Sequence, residues 1–178
     1  MNQLKARLIY QEAMRRLQDA ETLSDSALLS EQSDSSYLLR LLGFELLLKL
    51  VYELDLHEPA PNVHFYEKIF EKLSSETQTR LLTLAGGRVG PSALASKPVD
   101  VLKEWGGNFI GLRYPWERYK NMTEENYSKV GKTWAEKGAP LNEATFRYFP
   151  EELVGFVYAL QIVAGELAEG STNLDPKA

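Results

Sequence analysis

Most of the side chains that could do chemistry gather around Arg113. It stands in NFIGLRYPWERY, residues 108–119, where Phe109, Tyr114, Trp116 and Tyr119 crowd Arg113, Arg118 and Glu117. A guanidinium offers a planar fork of donors and stacks on aromatic faces. That suits a carboxylate, a phosphate or a nucleobase. The plainer reading is a structural Arg–Glu bridge that pins two helices, with the aromatics as core. Glu45 is the partner we expect for Arg113, because it sits in a strongly apolar helix and a half-buried charge needs an opposite one. The alternative for Glu45 is a solvated stripe shared with Lys49 and Glu53, which follow it at steps of four.

The two histidines, His57 and His64, are separated by Pro59 and Pro61 and cannot share a helical face. They read as solvent-exposed loop residues. The chain has no cysteine, which excludes disulfides and thiolate chemistry. A zinc site would need carboxylates at a spacing that is not there, so neither a metal nor a cofactor is expected. GGRVGPS has the glycines of a phosphate loop but lacks the Gly-Lys-Ser/Thr ending and a preceding strand, and reads as a turn. No nucleophile elbow is visible.

The elements that must position these residues are helical. Apolar residues recur at helical spacing from residue 3 to about residue 30, predicting a long amphipathic first helix. Ser33 to Ser36 form a polar break. YLLRLLGFELLLKLVYEL predicts a central, buried helix over 36–55. Two prolines interrupt the chain before the short helix of HFYEKIFEKL. Ser75 and Gln78 have capping-box spacing and open a helix to about Ala85. Residues 86–98 read as a loop. Pro98 starts another helix, in which Gly106 and Gly107 either end it or let another backbone approach. Tyr114 is pushed from helical angles by Pro115, which places Arg113 in or near the last helical turn. A short helix is expected at 123–131. A final helix starts at Pro150, and residues 170–178 read as a disordered tail. The prediction is an all-α fold: an antiparallel bundle of about five main helices with two or three short ones, forming one domain over residues 1–169.

The bulk properties narrow the partners. A net charge of −5 disfavours holding duplex nucleic acid by phosphate neutralisation alone. The most apolar segment is broken by Arg40, Glu45, Lys49 and Glu53, so no membrane span is expected, and a cytoplasmic location is.

Three segments together resemble the HEPN domain, an all-helical family. FELLLKL, with Glu45 and Lys49, resembles its E-x-x-x-K-x-hydrophobic helix. His64 to Leu73 resembles its H-x-L-x-x-L-F-x-x-L segment. Phe109 to Glu117 resembles an F-x-x-x-R-Y-x-aromatic-E pattern of some branches. The resemblance covers roughly residues 5 to 120. It implies a homodimer in antiphage defence or a toxin–antitoxin pair. Many members are metal-independent ribonucleases, in which an arginine and a histidine a few residues later meet their copies across the dimer. Other members bind nucleotides or act as noncatalytic partners of other proteins.

Arg113 carries over as the motif arginine. The histidine does not: its window falls on Arg118 and Tyr119, and no histidine follows His64. A phenol holds its proton too tightly to act as general base at neutral pH. The expected function is therefore a HEPN-like binding or regulatory protein with RNA, a nucleotide or a partner protein as ligand. Arg113, Tyr114, Trp116, Glu117, Glu45 and Lys49 are its candidate binding residues. The alternatives are an RNA-cutting enzyme using Arg113 with Tyr119 or His64, and a helical interaction module outside the family.

Overall fold

A computed structural model describes residues 2–26 and 34–173. Nine α-helices occupy the described residues: α1 (Gln3–Ser26), α2 (Ser35–Leu56), α3 (Tyr66–Lys72), α4 (Ser75–Val89), α5 (Ala93–Ser96), α6 (Pro98–Gly111), α7 (Pro115–Tyr119), α8 (Glu124–Glu136) and α9 (Pro150–Asn173). No strand occurs among them, so the fold is all-α.

The apolar residues of α2 point in every direction, and the helix is central for that reason. Leu41, Phe44, Leu47, Leu48, Leu50 and Val51 are all buried. Each such side chain contributes about 1.5–3 kcal/mol by leaving water. α1 lies along α2 with Lys5 bonded to Glu53 at 2.6 Å and Leu17 packed on Gly43, so the two helices run in opposite directions. A Cβ at Gly43 would come within 2.9 Å of the Leu17 side chain, so glycine sets this close approach. α4 and α9 also oppose each other: Arg80 pairs with Glu166, and Gly155 meets Ala85 and Val89. α2 and α9 run parallel, joined by Phe44 and Phe156 at one end and by Leu54 and Ala168 along one groove at the other.

The centre of the core is aromatic. Phe44 meets Tyr66, Trp105 and Phe156 at ring distances of 5.2, 5.1 and 5.6 Å, tilted or edge-on as ring quadrupoles prefer. α7 and α8 contribute nothing to this core. α8 has no fully buried side chain.

Several boundaries differ from the sequence-based expectation. α4 runs on through Gly86 and Gly87 to Val89, and α5 occupies part of the expected 86–98 loop. α8 extends to Glu136, past the expected 131; its start is capped by Thr123, whose hydroxyl accepts from the Asn126 amide at 3.2 Å. The cap of α4 is Ser74, not Ser75. Its hydroxyl accepts from the Thr77 amide, and Asp55 accepts from the Ser74 amide at 2.7 Å, so the end of α2 holds the start of α4. α9 continues to Asn173, four residues into the expected tail, while 174–178 lie outside the described residues. The expected end of the first helix, 27–30, lies outside them too. No described helix is long and apolar enough to cross a membrane.

Candidate functional site

The site is assembled by α2, the start of α3 and the end of α6. α6 passes through both of its central glycines. At Gly106 an added Cβ would sit 2.6 Å from the His64 carbonyl oxygen, so the missing side chain lets the segment before α3 lie against α6. Gly107 faces open space. This contact brings His64 and Tyr66 beside Phe109 and Arg113.

Glu45 points into this junction. It is only 6% exposed, so the solvated stripe is not what forms. Its carboxylate accepts from Lys49 Nζ at 2.8 Å, and His64 Nδ1 lies 2.8 Å from one oxygen and 3.1 Å from the other. His64 is thus not a free loop histidine. Its Nδ1–H donates to Glu45, which leaves Nε2 as the free ring nitrogen. His57, by contrast, is exposed and closes α2 in a left-handed conformation.

The expected Glu45–Arg113 bridge does not form. Lys49 and His64 take the Glu45 oxygens, and no carboxylate among the described residues lies within 4.0 Å of Arg113. Arg113 instead stands just past the end of α6, exposed, with its guanidinium 4.4 Å from the Phe109 ring centre and 5.7 Å from that of Tyr114. The ring of His64 packs on the same Phe109 at 5.2 Å. Phe109 therefore seats a histidine and an arginine together.

Tyr66 lies beneath them. It is 0% exposed, and its hydroxyl has no hydrogen-bond partner. Burial raises its pKa well above the usual phenol value, and the nearby charge of Glu45 raises it further, while Arg113 lowers it. Glu45 and Arg113 are thus near enough for their charges to act on this hydroxyl, while the Glu45 oxygens are held by Lys49 and His64. Two cations and one carboxylate surround the site, which leaves positive charge for an anion.

The remaining candidates sit at its edge. Trp116 is 60% exposed and packs edge-on against Tyr114 at 5.6 Å. Glu117 pairs with Lys120 at 2.7 Å, and Tyr119 packs on Tyr127 at 5.0 Å. The aromatics of the stretch divide accordingly: Phe109 is core, whereas Tyr114 and Trp116 are surface.

The sequence reading missed a neighbouring polar network. Asn108, 3% exposed, donates to the Arg147 carbonyl at 2.8 Å and to the Tyr37 hydroxyl at 3.2 Å. Tyr37 donates to the Tyr148 carbonyl at 2.9 Å, and so does Trp105 Nε1 at 3.1 Å. Burial first, then the bond to Asp34, pushes the Tyr148 phenol up to about 12. This network fastens the segment before α9 onto α6 and α2. Its only sequence signal is an amide inside an apolar helical run.

In chemical terms the arrangement leaves the Arg113 guanidinium open to an anion and places a carboxylate-bonded imidazole beside it. No family model, no curated protein and no solved structure matches this chain.

Proposed function

We propose that this chain is a HEPN-like helical-bundle protein that binds RNA or a nucleotide through Arg113, working as a homodimer in a defence or toxin–antitoxin setting. One observation carries the binding reading: Arg113, with no carboxylate of its own, shares the Phe109 ring with His64. An arginine left unpaired on an aromatic seat is ready for a phosphate, which it can engage with two parallel donors. Tyr114 and Trp116, exposed alongside, suit a base or a sugar. The HEPN assignment rests on the three sequence segments, and the opposed pairs α1–α2 and α4–α9 are compatible with it. The test is binding of a fluorescein-labelled single-stranded RNA and of a nucleoside triphosphate. Arg113→Ala is expected to weaken either by roughly tenfold or more. The exposed side chain predicts a stability change within about 0.5 kcal/mol. Equal binding by wild type and variant would refute the site.

A second reading is favoured by the Glu45–His64 bond. A carboxylate on Nδ1 fixes the tautomer that leaves Nε2 as base. With Arg113 on the phosphate, His64 would take the proton from a ribose 2′-hydroxyl as its oxygen attacks the phosphorus. The bond to the 5′-oxygen of the next nucleotide would then break, that oxygen taking a proton from water, to give a cyclic 2′,3′-phosphate and a free 5′-hydroxyl. Cleavage in excess chelator that disappears in both His64→Ala and Arg113→Ala supports this reading. RNA left intact by the wild type ends it and leaves the binding reading standing.

A further inference from the structure

Away from these residues, α1 and α9 both lie on α2 but leave a furrow between them. Its volume is about 470 Å³, within the range of small-molecule pockets, roughly 300–1,000 Å³. Small residues keep it open: Ala6 on α1, and Ala164, Gly165 and Ala168 on α9. Leu50 and Leu54 form its floor. A Cβ built on Gly165 meets nothing within 4 Å, so the space beside this helix is empty rather than merely tight. A mid-helix glycine costs about 1 kcal/mol relative to alanine, and no close neighbour requires one here.

The charge of the lining is one-sided. Arg7 and His57 are the titratable cationic or potentially cationic residues that line the furrow, and no Asp or Glu lines it. Tyr10 and the amides of Gln3 and Gln161 supply its other polar groups. Among the described residues Arg7 has no carboxylate within 4.0 Å. The lining therefore sets one exposed arginine at the edge of an apolar furrow. It asks for an anionic head joined to an apolar body.

We propose that the furrow between α1, α2 and α9 is a binding site for an amphipathic carboxylate, its apolar part laid over Leu50 and Leu54 and its head on Arg7. The site is separate from the Arg113 site and does not depend on any reading of it. Burial of the apolar body supplies the affinity, and Arg7 selects the sign of the head.

The probe is decanoate, titrated by calorimetry into the full chain below its aggregation concentration, with decyltrimethylammonium as the head-group control. Saturable one-to-one binding of decanoate, with none of the ammonium, is expected. Gly165→Leu fills the furrow and is expected to weaken decanoate at least tenfold. Arg7→Gln is expected to weaken it roughly tenfold and to abolish the preference for the anionic head. Circular dichroism checks the fold of each variant, and Ala168→Leu is the second filling variant should Gly165→Leu fold poorly. Absence of saturable decanoate binding overturns the proposal. So does undiminished binding by a folded filling variant, or equal binding of both head groups by the wild type.

Discussion

Tyr66→Phe is a deletion of one oxygen, and the structure predicts that it stabilises the protein. The Tyr66 hydroxyl is fully buried with no partner. Such a group costs about 1–3 kcal/mol, because water's hydrogen bonds are lost and nothing replaces them. The ring itself stays, still packed on Phe44 at 5.2 Å and near Phe109 at 6.3 Å. The nearby Glu45 and Arg113 charges recover part of the loss, so the lower end applies, a gain of about 1 kcal/mol. With a urea m-value of about 2 kcal/mol/M, the midpoint moves up by about 0.5 M. The gain depends on pH in a defined direction. Burial first and Glu45 second raise the folded-state pKa of this phenol above its unfolded value. The neutral form is thus favoured by folding, so its contribution is complete below about pH 10 and is lost as pH climbs from there toward the folded value. Phenylalanine has no such loss. The advantage of Tyr66→Phe therefore widens between pH 9 and about pH 11, while contributions from Tyr37 and Tyr148 cancel in the difference. Urea unfolding at both pH values measures this. A variant less stable than wild type by about 0.5 kcal/mol or more would mean that the hydroxyl makes a bond, and the reasoning would fail.

Two further predictions separate local from tertiary effects. Gly106→Ala is expected to destabilise by about 1–3 kcal/mol, since its Cβ would strike the His64 backbone oxygen, whereas Gly107→Ala, at the next residue and facing open space, is expected to gain up to about 1 kcal/mol of helix propensity; thermal unfolding of both decides it. Glu45→Ala strips Lys49 and His64 of their shared acceptor and is expected to cost about 1–3 kcal/mol. The figure lies below that for a fully buried pair because His64 is 37% and Lys49 19% exposed, and both can turn to water. Urea denaturation measures it, and a neutral result would show the pair to be ornamental.

Local physics was legible in the sequence. Apolar spacing and proline placement yield α1, α2, α6 and α9, and Pro115 explains why the chain leaves the helix near Arg113. Boundaries that depend on a cap moved where the capping partner comes from elsewhere, as Asp55 does for α4. The misreadings concern direction and neighbourhood. A helix apolar on all sides has no preferred face, so nothing in FELLLKL says that Glu45 points inward. Nor does it say that a histidine nineteen residues on will take the place offered to Arg113.

By itself, then, the sequence determined an all-helical chain, its main elements and an arginine in an aromatic setting, because those follow from interactions within a few residues. Tertiary structure alone decided that His64 and Arg113 share Phe109, that Tyr66 keeps an unpartnered hydroxyl, and that Gly106 is a point of contact while Gly107 is not. Each of these depends on where one helix's surface meets another segment. That meeting is set by the packing of the whole core, which periodicity along one segment does not record.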